Sequence, residues 1–304
     1  MLAGYLTVCA IFGTTFLAIK IGLNAGLPPL LFAGVRFLIA GLITLAWLRL
    51  RRTPMPASRR TYGHMVLVGL TNIAIAFAGL FWAEQYLPSS LAAICTASAP
   101  VLTALMVRRS GERISRWQLA GLAGGLAGVM LALAPGLRAE GSSVSLLGVG
   151  TILLGETGVA WGTVHARRVM ASGVPPVLFA AWQMLFGGLM LLAGSLLFET
   201  GRYAEIVPSP AAVGALLYLA IPGSVIARSL LFWLVDRTGP LFPSTWTYIS
   251  PILATLAGAL VLAEPIGWQT LAGLFLVLAA AAMTNETIRS LLWRRIQPLA
   301  GQGD

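Results

Sequence analysis

The sequence predicts an all-α integral membrane protein of ten transmembrane helices, arranged as two inverted five-helix repeats. Three observations predict it. Long apolar stretches follow one another along the chain, the basic residues gather in alternate loops, and the second half of the chain repeats the first.

Of the 304 residues, 58% are hydrophobic and 10% are charged. A soluble domain carries about 25% charged residues, so this chain cannot give itself an ordinary water-facing surface. Leu30–Leu48 holds one charge in nineteen residues and Gly239–Ala263 holds none. A bilayer is spanned by roughly 20 apolar residues, which fits helices at 2–21, 30–49, 64–83, 89–107, 117–134, 145–166, 176–198, 211–234, 240–262 and 267–288. Turn signals separate many of them: Asn24–Pro29, Thr53–Ser58, Pro88–Ser90, Pro135–Ser143, Gly173–Pro176 and Pro208–Pro210. The first apolar stretch, Leu2–Ile19, has no basic residue before it and no small-residue cleavage site, and reads as a retained helix, not a signal peptide.

The net charge of +10 raises nucleic-acid binding as a function class. It is set aside because the charges sit in short loops between apolar segments and form no basic face. With a cytoplasmic N-terminus, the cytoplasmic side holds Arg49, Arg51, Arg52, Arg59, Arg60, Arg108, Arg109, Arg113, Arg116, Arg167, Arg168, Arg237, Arg289, Arg294 and Arg295. The outer side holds Lys20, Arg138 and Arg202, while Arg36 and Arg228 fall inside helices. Fifteen against three follows the positive-inside rule and puts both termini in the cytoplasm of a multi-pass inner (plasma) membrane protein. The two cysteines, Cys9 and Cys95, lie in apolar segments and read as packing residues, with no disulfide framework or metal site.

Gly26–Ala46 and Gly173–Ala193 are identical at eleven of 21 positions, at an offset of 147. Further along, Phe81-Trp82 recurs as Phe232-Trp233, Thr96 as Thr247, Pro100 as Pro251 and Trp117-Gln118 as Trp268-Gln269, all at an offset of 151. Chance likeness of apolar segments does not readily hold Trp, Gln and Pro in one register. The repeats are read as 1–136 and 144–290, followed by a cytoplasmic tail at 291–304. Five helices per repeat is an odd number, so the second copy enters from the opposite side. Inverted repeats are the architecture of many secondary transporters, with the binding site near the midplane between them.

The motifs resemble those of EamA-type proteins in the drug/metabolite transporter superfamily. Gly13-Thr14-Thr15-Phe16-Leu17-Ala18-Ile19-Lys20 is similar to the family's G-[ST]-x-F-x-A-I-K, and Pro28-Pro29 through Arg36-Phe37 to its P-x-x-x-A-x-x-R-F. Ala99-Pro100, Gly111-Glu112-Arg113, Trp117-Gln118 and Gly121 follow in order. Ser250-Pro251, Glu264-Pro265 and Trp268-Gln269 repeat that set, and Ala160-Trp161 matches a W-A element in reversed order. The resemblance covers essentially all of residues 1–290. It implies ten helices and export of small organic solutes: amino acids, their derivatives, other metabolites or drugs. Glu156 and Arg228 depart from the family, which usually has apolar or aromatic residues there.

These two charges are the first candidates for solute binding. A charge in hydrocarbon costs at least ~2.5–3.5 kcal/mol on insertion scales, so it faces a partner or a wet cavity. Two readings stand: Glu156 and Arg228 pair and lock the half together, or Arg228 binds a carboxylate and Glu156 an amine or a proton. Ser244, Thr247, Pro251 and Thr255 share a face of the ninth helix, with Thr96 and Pro100 at the equivalent places in the fourth and Thr103 one position from the match to Thr255. Helix–helix hydrogen bonding and a cavity wall are both open for that face. Asn72, Phe77 and Phe81 in the third helix, Trp161 in the sixth, and Trp246 and Tyr248 in the ninth complete an expected aromatic-lined pocket, while His165, on the face of Trp161 close to the cytoplasmic end, reads as a satisfied interfacial histidine. Arg36 is expected to snorkel to the outer interface. Lys20 and Glu84 are read as outer-end anchors, with Lys20, Arg36, Pro100 and Pro251 taken as gating or structural residues. Gly121, Gly124, Gly125 and Gly128 suit close helix packing inside one subunit.

The rival class is an integral-membrane enzyme. The chain has two Asp (Asp236 and Asp304), two His (His64 and His165) and no H-E-x-x-H, P-loop or G-x-S-x-G element. No cofactor is expected. The expected partners are a small-molecule substrate and the lipid bilayer, with the protein a monomer or weak homodimer, and the leading substrates are aromatic or other apolar amino acids.

Overall fold

The computed structural model describes residues 1–86, 92, 95–139, 146–206, 209–250, 252–253 and 268–284. Among these the regular elements are all helical: α1 (Leu2–Asn24), α2 (Pro29–Leu50), α3 (Arg59–Ala83), α4 (Ala99–Arg109), α5 (Arg116–Ala139), α6 (Leu146–Met170), α7 (Pro176–Phe198), α8 (Pro210–Thr238), the short α9 (Leu241–Ser244) and α10 (Trp268–Thr284). Residues 246–250 are helical beyond a turn at Thr245. Among the described residues six helices, α1, α2, α3, α6, α7 and α8, are long and apolar enough to cross a membrane. The outward faces carry bare apolar side chains, with Leu197 75% and Phe198 80% exposed. Water would penalise such a surface; lipid does not. The chain is a multi-pass membrane protein.

The start of α2 and the start of α7 are built alike. A glycine with positive φ, Gly26 at 83° and Gly173 at 97°, turns the chain. A proline pair then opens each helix, where the missing N–H costs nothing. The free N–H groups of Leu30 and Leu31 donate to the Glu199 carboxylate at the far end of α7 (2.8 and 2.9 Å), and Ser195 Oγ also donates to it (2.6 Å). A carboxylate at a helix N-terminus satisfies orphan donors and opposes the helix dipole.

Three glycine seams bring helices closer than side chains would allow. Where α2 meets α7, a Cβ on Gly41 would stand 2.8 Å from Leu185 N, and one on Gly188 2.7 Å from Leu38 N. Gly41 and Gly188 are partners at the 147-residue offset, so the repeated segments meet through equivalent positions. Where α3 meets α6, Gly79 lies against Thr151 O, Gly155 against Ala76 and Gly158 against Thr71. Where α5 meets α10, Gly121 lies against Ala280 O and Gly128 against Val277, while the Tyr248 ring fills the space beside Gly125. The glycines of α5 thus pack within the subunit.

Both α3 and α8 are interrupted by a turn of π-helix, at Leu70–Ile75 and Ile221–Ile226. These turns lie 151 residues apart, the same offset as the tryptophan and proline repeats. Pro222 removes a backbone donor in the second, but the first has no proline, and its bulge goes with the tight contacts to α6 and α7. A π turn shifts helix register and is common at functional sites. The polar residues Asn72 and Ser224 of the two turns are buried.

Gly188→Ala gains up to ~1 kcal/mol of helix propensity but forces a backbone clash of the kind that costs ~1–3 kcal/mol. It is expected to lower the thermal midpoint of the detergent-purified protein. Gly214→Ala, with open space at its Cβ, is expected to leave the midpoint unchanged or raise it.

Candidate solute-binding cavity

A cavity opens between α1, α2, α3, α4, α6, α8 and the α9 region. It is a narrow chamber, with about 80 Å³ able to hold the centre of a water molecule. Eight of the ten residues expected to touch solute line it: Asn72, Phe77, Thr96, Glu156, Arg228, Ser244, Trp246 and Thr247.

Helix geometry selects them. On α6, Glu156, Val159 and Thr163 share one face at spacings of three and four and border the cavity. On α4 and the turn before it, Thr96, Ala99 and Thr103 do the same. Trp246 reaches the cavity against Phe12, their ring centroids 4.4 Å apart. On α3, the π turn presents Asn72. The amide orientation that satisfies its neighbours has Nδ2 donating to Gly158 O (3.3 Å) and Val159 O (3.1 Å) and Oδ1 accepting from Thr163 Oγ1 (3.2 Å).

Two expected residues stand elsewhere. Trp161 is five residues from Glu156, about 140° around the helix. It is 37% exposed and stacks on His165 at 5.0 Å, whose Nε2 lies 3.0 Å from His64 Nδ1. Tyr248 is two residues from Trp246, about 200° around. It turns away from the cavity, and its hydroxyl donates to Leu122 O (3.1 Å).

The gating or structural set also needs correction. Arg36 does not snorkel to an interface. It is buried and lines the cavity, because the π turn of α8 holds Ser224 within reach and Phe37 and Phe77 cover its guanidinium. Glu84 is fully buried and so is no interfacial anchor, while Lys20 Nζ donates to the Glu84 backbone carbonyl (2.9 Å). Phe81 sits in the apolar core with Phe32. Pro100 is buried at the start of α4 and does not border the cavity. Pro251 and Thr255 lie outside the described residues.

Glu156 and Arg228 both face the chamber, and among the described residues neither makes a hydrogen bond or an ion pair with the other. Arg228 is held instead by ring faces, its Cζ 5.4 Å from the Phe37 centroid and 5.3 Å from that of Phe77. Opposite charges on the wall of one chamber can engage a solute that carries a carboxylate, an amine or both.

Sequence reasoning missed Phe12, Thr15, Phe16 and Thr163 on the wall. Thr163 was within reach of the helical spacing from Glu156, and Thr15 and Phe16 belong to the first-helix motif. Phe12 carried no signal.

At the other side of the Gly239–Pro240 turn lies a polar cavity where Arg167 Nη1 donates to both Glu112 carboxylate oxygens (2.9 and 3.0 Å). Pro240 borders both chambers.

Comparison with known proteins agrees with this architecture. The chain is 33% identical over 251 residues to the inner membrane transporter YedA of Escherichia coli strain K12, covering 82% of this chain and 78% of that protein. It is 27% identical over 281 residues to a protein of Salmonella typhimurium named "probable amino-acid metabolite efflux pump", covering 90% and 91%. One crystal structure shares the fold at a TM-score of 0.75 and 22% identity, over 97% of this chain and 98% of that one. The sequence pattern of the EamA-like transporter family matches residues 1–134 and 146–286, so the chain is a transporter that belongs to the EamA-like transporter family.

Proposed function

We propose that this transporter exports a small organic metabolite across the bacterial inner membrane by alternating access, and that its substrates are amino acids with aromatic or other apolar side chains. The observation that carries the reading is that Glu156 and Arg228 both line one aromatic-walled chamber and, among the described residues, form no ion pair with each other. A pair that merely locked the bundle would lie in contact, since a buried ion is stabilised only by close geometry. Not bonded to each other, the two charges suit the amine and carboxylate of one amino acid, and Phe12, Phe16, Phe77 and Trp246 suit its apolar side chain. The efflux pump of Salmonella typhimurium, named for amino-acid metabolites, supports the same class. A second reading, export of drugs or other amphipathic metabolites, draws on the same aromatic wall.

The proposed frame is ten transmembrane helices in two inverted repeats, 1–136 and 144–290, with both termini and the 291–304 tail cytoplasmic. The repeat-related π turns and the equivalent places of Gly41 and Gly188 in the α2–α7 seam support it. The Glu112–Arg167 pair then closes the cytoplasmic end of the path. Both partners are partly exposed, at 38% and 48% of their side chains, and such a pair contributes only ~0–1 kcal/mol, so it opens at little cost. The working unit is a monomer or weak homodimer without a cofactor.

In reconstituted vesicles, Arg228→Gln and Glu156→Gln are each expected to cut efflux of labelled phenylalanine at least about tenfold, the loss of one charge-assisted bond, with little change in thermal midpoint. Unchanged transport with a large drop in midpoint would favour a locking role. Cysteines introduced near Arg59 and near Arg138 are expected to react with an impermeant thiol reagent from opposite faces of the membrane. Reaction from one face only would contradict the inverted topology.

A further inference from the structure

Arg36 and Arg228 come from different helices, α2 and α8, yet their guanidiniums flank the same pair of rings. Arg36 Cζ lies 4.7 Å from the Phe37 centroid and 5.2 Å from that of Phe77; Arg228 Cζ lies within 5.4 Å of both. Both side chains are more than nine-tenths buried and both line the cavity. Among the described residues neither meets a carboxylate within ion-pair distance, and Arg36 Nη1 and Arg228 Nε have no hydrogen-bond partner. Two like charges held close in an apolar bundle with donors unspent are costly, and packing alone gives no reason for the second one.

The scaffold fixes their aim. Arg36 Nε donates to Ser224 Oγ (2.9 Å), and Ser224 Oγ donates to Leu219 O five residues back (2.9 Å), a bond whose span belongs to the π turn. One edge of Arg36 is thereby occupied and the other is left free.

We propose that Arg36 and Arg228 form a two-guanidinium clamp for the carboxylate of the transported solute. The carboxylate is the obligatory recognition element; the amine is secondary. Guanidinium forks match carboxylate oxygens bidentately, and a second fork lets each oxygen receive a charge-assisted bond. The site therefore takes N-acylated amino acids and aromatic carboxylates as well as free amino acids, and rejects amino acid amides. This rests on the transport reading above and deepens it.

Three forms of one solute separate the possibilities: phenylalanine, N-acetylphenylalanine and phenylalaninamide. The two acids are expected to raise the thermal midpoint of the purified wild-type protein, and the amide to leave it unmoved. Arg36→Gln is expected to weaken binding of both acids about tenfold or more, as the loss of a bond to a charged group implies, with partial rescue in Arg36→Lys. The clamp is overturned if the amide stabilises the wild-type protein as strongly as the acids, if neither acid does, or if Arg36→Gln leaves the acids unaffected. The wild-type comparison needs no substitution, so a variant that fails to fold does not spare the proposal. Counterflow of labelled phenylalanine in vesicles reads transport separately. Binding of the acids without flux overturns the transport reading and leaves the clamp; flux of the amide alone does the reverse.

Discussion

Charge cannot sit in the apolar middle of a membrane bundle without a partner or water, and that constraint organises this protein. Arg36, Arg228 and Glu156 lie on helices whose outer surfaces are bare hydrocarbon, yet all three converge on one chamber. Their cost is met by phenylalanine faces, by Ser224 and by the chamber itself. A desolvated cation–π contact contributes about 2 kcal/mol, less than an ion loses on leaving water. The remainder is a standing demand for a ligand of opposite charge.

Close packing makes the chamber possible. Glycine at the α2–α7, α3–α6 and α5–α10 contacts removes the side chains that would hold helices apart, so van der Waals contact replaces the hydrophobic drive that lipid cannot supply. The same seams set where the wall residues point. Bringing α6 onto the π turn of α3 seats Asn72 on the carbonyls of Gly158 and Val159, one turn from Glu156. The two π turns then break helix register at matching places, the first carrying Asn72 on the cavity wall and the second carrying Ser224, which accepts from Arg36. The repeat therefore duplicates a device as well as a sequence.

Much of this was legible beforehand. Helix ends followed from apolar length and from the Gly–Pro–Pro turns, and α7 runs over the same 176–198 that its sequence suggests. Glu156 and Arg228 stood out because a charge in an apolar run is expensive wherever it points. Arg36 did not, because its distance from the helix end measures depth and says nothing about which neighbours cover it. Trp161 and Tyr248 were grouped with residues two to five positions away, although the helical angle sends them to other faces. The π turn at Leu70–Ile75 left no mark in composition, since it depends on contacts with α6 and α7 that no local signal encodes.

The central claim is a chamber that water and solute reach from each side of the membrane in turn. Val159 lies on its wall between Glu156 and Thr163. With Cys9 and Cys95 replaced, a single cysteine at position 159 reports directly on access. The account predicts modification by an impermeant thiol reagent added to either face, slowed by a saturating apolar amino acid. A cysteine inert from both faces, or reactive from one face and indifferent to every solute, would contradict it.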